Sequence, residues 1–187
     1  MLFHKGIYMS RLVRLTVALF VCIAASAVTL EQLSMDQMAQ NATAIVRARV
    51  TGSYTSVISS TIYTHYKLQV SEVWKGSTAS EVMLPGGVAN GARQSFPGVP
   101  ELTSGSEYLL FLWKSPSTGI THLLGMTQGL FNVTAQADGS AIAWRAKIGE
   151  TMLDASGHKV SDQAVAMKLA EMKSRVRQPG ITAGPLK

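Results

Sequence analysis

The chain of 187 residues contains a single cysteine, Cys22. It lies in an N-terminal segment that we expect to be removed during export, which would leave a mature chain without thiols or disulfides. The absence of thiols excludes thiol-dependent catalysis and cysteine metal sites. Without disulfides the mature domain has to be stabilised by its hydrophobic core, and about 160 residues are enough to form one.

Charged residues are also scarce, at 15% of the sequence. The formal net charge is +6, but three of the 17 basic residues and none of the 11 acidic residues lie in residues 1–27. The remaining chain therefore has 14 basic and 11 acidic residues, a net charge of +3. A charge this small, spread along the chain, gives no electrostatic footprint for a nucleic acid, and we expect no nucleic-acid partner.

The first 27 residues have the features of an export signal. Basic residues stand at positions 5, 11 and 14, an uncharged run follows, and Ala25-Ser26-Ala27 matches a signal-peptidase site. We expect residues 1–27 to be a cleaved signal peptide, so that the mature protein is periplasmic or extracellular and has no stable membrane span. The alternative is an uncleaved anchor, because the run of 16 uncharged residues at 15–30 approaches the roughly 18–20 that cross a bilayer.

Most of the remaining chain alternates between polar and apolar residues with the period of two that indicates strands. The clearest alternation is at residues 62–71, and residues 52–61, rich in serine and threonine, are expected to form the loop before it. Residues 108–113 are continuously apolar, which predicts a central strand buried on both faces. Five shorter strands are predicted at residues 44–50, 82–84, 120–124, 130–133 and 141–146.

Helices are predicted at both ends of this β-rich region. Thr29 and Gln32 have the spacing of a capping box, which predicts a short helix over residues 30–41. Ser161 is expected to cap the second helix, and residues 179–187 to form a disordered tail. The apolar face of the second helix is formed by Val165, Leu169, Met172 and Val176.

Seven short strands with flanking helices predict a mainly β fold, a small closed or partly closed barrel formed by a single domain over residues 28–178. Three motifs in this order, AIV at 44–46, VSEVWKG at 70–76 and GSEYLLF at 105–111, resemble the bacterial relatives of the tissue-inhibitor-of-metalloproteinases and netrin domain. The resemblance implies an OB-type barrel. Those inhibitors chelate their target's zinc through an N-terminal cysteine, which this mature chain lacks, so only the fold is implied.

Residues 85–131 are similar to a group of exported bacterial proteins of unassigned role. This similarity rests on PGG at 85–87, FPGVP at 96–100 and GMTQGLF at 125–131. It supports export but implies no chemistry.

The region expected to bind a partner is the connection at residues 85–106. It contains three prolines and five glycines in 22 residues, and a connection that long in a compact domain is usually functional or mobile. Arg93, Gln94 and Phe96 place a cation, an amide and an aromatic ring close together, so we predict them as binding residues. The alternative is that Phe96 only holds the loop against the barrel and Arg93 is solvated.

These observations favour an exported, non-enzymatic domain that binds a protein, peptide or glycan of the cell envelope through this loop. A hydrolase whose site is assembled only in three dimensions is the alternative, and His65 or His122 beside a carboxylate in a pocket would favour it. A third interpretation, single-stranded nucleic acid on the outward Tyr63, His65 and Lys67, conflicts with export and with the charge.

The sequence contains no recognisable catalytic or metal-binding motif. The histidines beyond the signal peptide, His65, His122 and His158, do not have the spacing of metal ligands such as H-E-x-x-H. We therefore expect no metal, no cofactor and no catalytic residue that can be named from the sequence.

Overall fold

The computed structural model describes residues 29–178, of which half lie in β-strands and 13% in helices. The mainly β class is therefore confirmed. The predicted signal peptide at residues 1–27 and the predicted tail at residues 179–187 lie outside the described residues. Within residues 29–178, no helix has the length and apolar character needed to cross a membrane.

The described part of the chain forms thirteen strands, two α-helices and one 3₁₀-helix. In chain order they are β1 Thr29–Glu31, α1 Met35–Asn41, β2 Ala44–Ile58, β3 Thr61–Lys75, β4 Glu81–Pro85, β5 Gly87–Ala89, β6 Ala92–Gln94, β7 Glu107–Lys114, β8 Thr121–Leu123, the 3₁₀-helix Met126–Gly129, β9 Leu130–Ala135, β10 Ala141–Arg145, β11 Thr151–Leu153, β12 Lys159–Val160, β13 Val165–Lys168 and α2 Leu169–Val176.

Eight of these strands form the main sheet, in the order β13-β10-β9-β7-β2-β3-β4, with β8 paired to one end of β7. All pairs in this sheet are antiparallel. Across residues 29–178 the sheets do not close into a barrel. Of the two predicted forms, the closed barrel is therefore wrong and the partly closed barrel stays a prediction. The three-residue strand β8 lies against β4 without a backbone ladder, and the contact includes a bond of 3.1 Å between His122 Nδ1 and the Met83 carbonyl.

All seven predicted strands are present, as β2, β3, β4, β7, β8, β9 and β10. The predicted loop at residues 52–61 is wrong, because β2 and β3 continue through it and pair up to a two-residue turn at Ser59 and Ser60. A register shift between Val50 and Gly52 interrupts the alternation there and conceals the strand. The threonines and the β-branched Val57 and Ile58 in this segment suit an extended strand.

Both helices begin later than predicted. Residues 29–31 form β1, parallel to β11, and α1 is capped by Ser34, whose hydroxyl accepts from the Gln37 amide at 3.2 Å. Residues 165–168 pair with β10 as β13, and α2 starts only at Leu169. In segments this short, the same spacing of apolar residues is compatible with a strand or with a helix. A strand forms here because a neighbouring strand is available for backbone pairing.

The core consists of two apolar clusters on the two faces of the main sheet. Tyr66, Leu68 and Leu110 belong to the cluster on what we call the inner face. Phe111 and Phe131 belong to the second cluster, which α1 and α2 cover. Strand β7 contributes alternate residues to both clusters, which confirms the prediction of a central strand buried on both faces.

Ion pairs and hydrogen bonds attach α2 to the face of the main sheet that the two helices cover, which we call the outer face. The carboxylate of Glu72 on β3 accepts from Lys173 Nζ, and also from Arg47 Nη1 and Trp74 Nε1, both at 3.1 Å. The hydrogen bond from Lys173, opposed by burial and aided by the bonds from Trp74 and Arg47, lowers the pKa of Glu72 to about 2. Glu72 is therefore charged in the folded protein down to strongly acidic pH.

Replacing Glu72 with glutamine is expected to lower the free energy of unfolding at pH 7 by about 1–2 kcal/mol, allowing for solvent screening at this partly exposed site. Because the folded pKa lies below the unfolded value, the stabilisation is fully present above about pH 4.5. It is lost as the pH falls through about 2. Urea unfolding of both proteins between pH 2 and pH 7 measures this, with the exposed Glu171→Gln as the control. A pH-independent difference would contradict the ionic origin.

Candidate functional site

The predicted binding loop at residues 85–106 is held against the inner-face side of the β2–β3 hairpin. Its strands β5 and β6 form a small hairpin of their own. The Gly86 amide donates to the Ile62 carbonyl at 2.7 Å, and the Thr64 hydroxyl donates to the Gly86 carbonyl at 2.8 Å. The Thr55 hydroxyl donates to the Val88 carbonyl, also at 2.8 Å. These bonds fix the first half of the loop on the sheet.

Gln94 is a further anchor of this loop. Its side-chain oxygen accepts from the Ile62 amide at 2.7 Å, and its side-chain nitrogen donates to the Ser60 carbonyl at 2.8 Å. The Gln94 side-chain amide, which the sequence predicted to contact a partner, therefore joins β6 to the turn and the start of β3 in the β2–β3 hairpin. Its predicted role in binding stays a prediction, but its structural role is plain.

Arg93 and Phe96 lie beside Gln94, and all three predicted binding residues line one small cavity of about 160 Å³. Tyr66 of the inner face and Glu101 line the same cavity. Arg93 is exposed, and 40% of the Phe96 surface is accessible. Phe96 is thus not sealed against the sheet, and the loop is held mainly by the hydrogen bonds described above.

A second cavity of about 290 Å³ lies on the other side of the loop. Pro85, Val99 and Pro100 of the loop line both cavities. The wall opposite them is formed mainly by rings and apolar side chains, and the Trp113 and His122 rings stack there with centroids 6.5 Å apart. The loop therefore separates a small polar cavity from a larger apolar one.

Exposed apolar side chains concentrate at this end of the molecule. In the part of the chain that the structure describes, seven large apolar side chains are at least 38% exposed, and five of these belong to residues 54–58 near the turn of the β2–β3 hairpin and to the loop. Val57, Val88 and Phe96 lie on the inner-face side, and with Arg93 we call them the hairpin-loop surface. The sequence pointed to the loop but missed Val57, because residues 52–61 looked like a connection.

A different arrangement occupies the outer face of the same hairpin, where side chains from three adjacent strands meet. His65 on β3 lies between Ser56 on β2 and Glu81 on β4. The distance from His65 Nε2 to Ser56 Oγ is 2.7 Å, and that from His65 Nδ1 to Glu81 Oε1 is also 2.7 Å. Tyr54 donates its hydroxyl to Glu81 Oε2 at 2.9 Å and stacks on the imidazole with centroids 4.4 Å apart.

The charges in this outer-face cluster follow from its hydrogen bonds. Burial raises the pKa of Glu81, but the bonds from His65 and Tyr54 outweigh it and hold the pKa below its ordinary value. The bond to Glu81 raises the pKa of Tyr54, and partial desolvation adds to the increase. At neutral pH the cluster therefore contains a carboxylate and a protonated phenol.

A cavity of about 480 Å³ adjoins the outer-face cluster, and His65 and Glu81 are among its lining residues. Lys114 and Met83 also line it. Much of the remaining wall is hydroxyl-bearing, from the β3–β4 and β7–β8 connections: Ser77, Thr78, Ser80, Thr118 and Thr121. The sequence named His65 and an unidentified carboxylate as the sign of a hydrolase, but it missed Ser56 and Glu81, which are brought to His65 only by strand register.

The other histidines are not placed for chemistry of this kind. His122 stacks on Trp113, and its Nδ1 is bonded to the Met83 carbonyl. His158 is 80% exposed in a turn beside Asp154. Among residues 29–178 no three His, Cys, Asp or Glu side chains are grouped so that they could hold a metal ion.

Comparison of the sequence with models of known protein families found no match, and comparison with curated protein sequences found none either. The functional conclusions below therefore depend on the geometry of this chain.

Proposed function

We propose that this protein is an exported binding domain that recognises another protein or a peptide of the cell envelope through the hairpin-loop surface. The observation that carries the proposal is the apolar cavity held open beside a loop that is fixed to the sheet, next to clustered exposed apolar side chains. The assignment to the envelope rests on the export features of residues 1–27.

Clustered exposed apolar groups favour a macromolecular partner. Soluble domains rarely expose contiguous apolar area without a use for it, and such patches commonly mark interaction sites. The hydrogen bonds that Thr55 and Thr64 donate and that Gln94 accepts order the loop in advance, so that binding would cost little further loop entropy. A prearranged loop of this kind suits specific recognition.

The lining of the larger cavity favours a protein side chain over a sugar. A sugar site needs several polar side chains for its hydroxyls, whereas none of the described residues around this cavity is Asp, Glu, Asn, Gln, Ser or Thr. At about 290 Å³ the cavity is at the lower limit for a small-molecule site and suits one apolar or aromatic anchor residue of a partner. We infer that such an anchor enters between Pro100 and Trp113.

We infer that the sheet is a partly open barrel of the OB type. Strands β8, β7, β2, β3 and β4 curl around the inner-face cluster so that β4 lies against β8. The OB fold is a partly open barrel that binds extended ligands on one side. A solved structure in which β4 and β8 are separated by bulk solvent would contradict this inference.

Position-specific crosslinking in the native envelope tests the binding function directly. A photoreactive amino acid at Val88 or Phe96 is expected to give a protein adduct, identified by mass spectrometry. The same group at the exposed Ala137, in the β9–β10 turn, is the control and is expected to give no such adduct. Equal adducts at all three positions would show nonspecific contact and contradict the proposal.

The double substitution Val88→Ser and Phe96→Ser is expected to weaken binding of the crosslinked partner by at least about tenfold, since exposed apolar anchors dominate interface energy. Unfolding stability should fall by no more than about 2 kcal/mol, because Val88 and Phe96 are 55% and 40% exposed and only part of their apolar surface is lost from contact. Val73→Ser, at a position elsewhere on β3 that is 38% exposed, is the control. Deleting residues 90–95, the tip of the loop, would be less informative than this double substitution, because the deletion also removes Gln94, which holds the loop on the sheet. Unchanged affinity in the double variant would rule out the surface.

A further inference from the structure

The outer-face cluster has the connectivity of a nucleophile, a base and an orienting carboxylate. Ser56 Oγ is bonded to His65 Nε2, and Glu81 Oε1 is bonded to His65 Nδ1, both at 2.7 Å. This is the chain of contacts that activates a serine in acyl-transfer enzymes. We propose that the partly exposed Ser56 acts with His65 and Glu81 to hydrolyse small carboxylic esters, and that the alcohol part of the substrate enters the 480 Å³ cavity that His65 and Glu81 line.

The proton positions required for this chemistry follow from the bonding pattern. Ionised Glu81 can only accept, so His65 carries its proton on Nδ1 and presents the lone pair of Nε2 to Ser56. Ser56 Oγ is then the donor, and its proton points at the base. Tyr54 stabilises this state by donating to the second oxygen of Glu81 and by stacking on the ring. The arrangement is therefore set for general-base catalysis.

The strands make this arrangement rigid. Tyr54 is directly opposite His65 in the β2–β3 ladder, and His65 is opposite Met83 in the β3–β4 ladder. Glu81 is two residues from Met83, so that its side chain lies on the same outer face. The imidazole is only 12% exposed, whereas a cavity opens beside it and beside Glu81. Burial of the base next to a cavity distinguishes the cluster from a solvated surface ion pair.

The reaction proceeds in two balanced steps. Ser56 Oγ attacks the acyl carbon while its proton passes to His65 Nε2; the ester bond then breaks as the same proton passes to the leaving alcohol. Water next attacks the acyl-serine, giving one proton to His65 and from there to Ser56 Oγ, and the carboxylic acid leaves. No oxidant, reductant or cofactor is needed.

The cavity wall defines the class of substrate. Its serine and threonine hydroxyls can bond the alcohol part of a polar ester, and Lys114 is the cation in its lining. Ser56 is paired with Tyr63 inside the β2–β3 ladder and not at a helix N-terminus, where backbone amides would converge on the developing oxyanion. We therefore infer a short acyl group on a hydroxyl-rich alcohol, and slow turnover.

This activity would exist beside the proposed binding function and does not rest on it. Ser56 and His65 lie on the outer face of the hairpin, whereas Val88 and Phe96 lie on the inner-face side. It corresponds to the alternative hydrolase function, for which a carboxylate within hydrogen-bond distance of His65 in a pocket was the expected sign.

The test uses the full-length protein with p-nitrophenyl acetate as substrate and a fluorophosphonate as covalent probe. We expect hydrolysis above the buffer rate and, by mass spectrometry, a single adduct on Ser56. Ser56→Ala and His65→Gln are expected to lower kcat/KM at least about 100-fold, and Glu81→Gln at least about tenfold. Ser53→Ala, on the same strand but outside the cluster, is expected to retain the activity.

Each result supports or overturns the proposal. Labelling of the unmodified protein needs no variant and so remains decisive if a substitution disturbs folding. Absence of an adduct on Ser56, absence of turnover, or turnover that persists in Ser56→Ala overturns the catalytic assignment. None of these results affects crosslinking at Val88 or Phe96, so that a failure here is distinguishable from a failure of the binding function.

Discussion

Replacing Asp162 with alanine is expected to lower the free energy of unfolding by about 3–5 kcal/mol, because it leaves a buried guanidinium without its counter-ion. Asp162 and Arg145 are 6% and 8% exposed. Arg145 Nη2 donates to Asp162 Oδ1 at 3.1 Å, Arg145 Nη1 donates to Oδ2, and the Ile148 amide also donates to Oδ2, at 2.8 Å. The pair joins β10 to the segment before β13 across 17 residues of sequence.

The effect of pH on this pair has a definite sign. Burial raises the pKa of Asp162, but the bonds from Arg145 and Ile148 outweigh it and hold the pKa below its ordinary value. The pKa of Asp162 is lower in the folded state than in the unfolded state, where it is about 3.9, so ionised Asp162 stabilises the fold above that pH. This stabilisation is lost as the pH falls through the folded-state pKa. Acid unfolding is therefore expected to include protonation of Asp162.

Asp36 provides the matched control, since it is also paired with an arginine. Arg175 Nε donates to Asp36 Oδ1 at 2.9 Å, but both side chains are nearly half exposed, at 45% and 47%. Asp36→Ala is expected to cost no more than about 1 kcal/mol. Chemical denaturation at pH 7 measures both variants. A cost below 1 kcal/mol for Asp162→Ala, or equal costs for the two, would contradict the account of the buried pair.

Replacing Gly87 with alanine is expected to destabilise the docked loop by about 2–4 kcal/mol through backbone strain and overpacking. Gly87 has a φ of +129°, and an added Cβ would lie 2.5 Å from Thr64 Oγ1 and 3.0 Å from Thr55 Cγ2. Both neighbours are β-branched and belong to paired strands, so that neither can move aside easily. The β5–β6 hairpin would have to lift from the sheet, and partner binding would weaken with it.

Substitution of Gly91 is the control, because it measures the cost of a positive φ without any steric contact. Gly91 also has a positive φ, of +75°, but an added Cβ there meets nothing within 4 Å. Gly91→Ala is expected to cost no more than about 1 kcal/mol. Hydrogen exchange of the loop amides and urea unfolding measure both variants. If Thr64→Ala fails to relieve any of the Gly87→Ala cost, the proposed contact is not its cause.

Local patterns in the sequence were enough to predict that the strands are present, but not where each strand or helix begins and ends. The alternation at residues 62–71 and the apolar run at 108–113 predicted β3 and β7, because side chains on a strand alternate between two faces wherever it lies. The start of α1 was missed because β11, 122 residues away, pairs with β1 and so places Thr29 in a strand. No local pattern contains that neighbour.

The candidate sites, too, could be predicted only in part from local sequence. The composition of residues 85–106 indicated a binding loop, and Arg93, Gln94 and Phe96 do line one cavity. The anchoring role of Gln94 could not be foreseen, since its partners, Ser60 in the β2–β3 turn and Ile62 at the start of β3, lie more than 30 residues earlier.

By itself the sequence determined the β-rich class, the seven main strands and the two-sided burial of β7, because each depends on the local order of polar and apolar residues. Only the tertiary structure decided that the main sheet stays open, that β13 is not helix, and that Ser56, His65 and Glu81 meet. These three residues are separated by 9 and 16 positions in the chain. They come together because antiparallel register places side chains of neighbouring strands side by side.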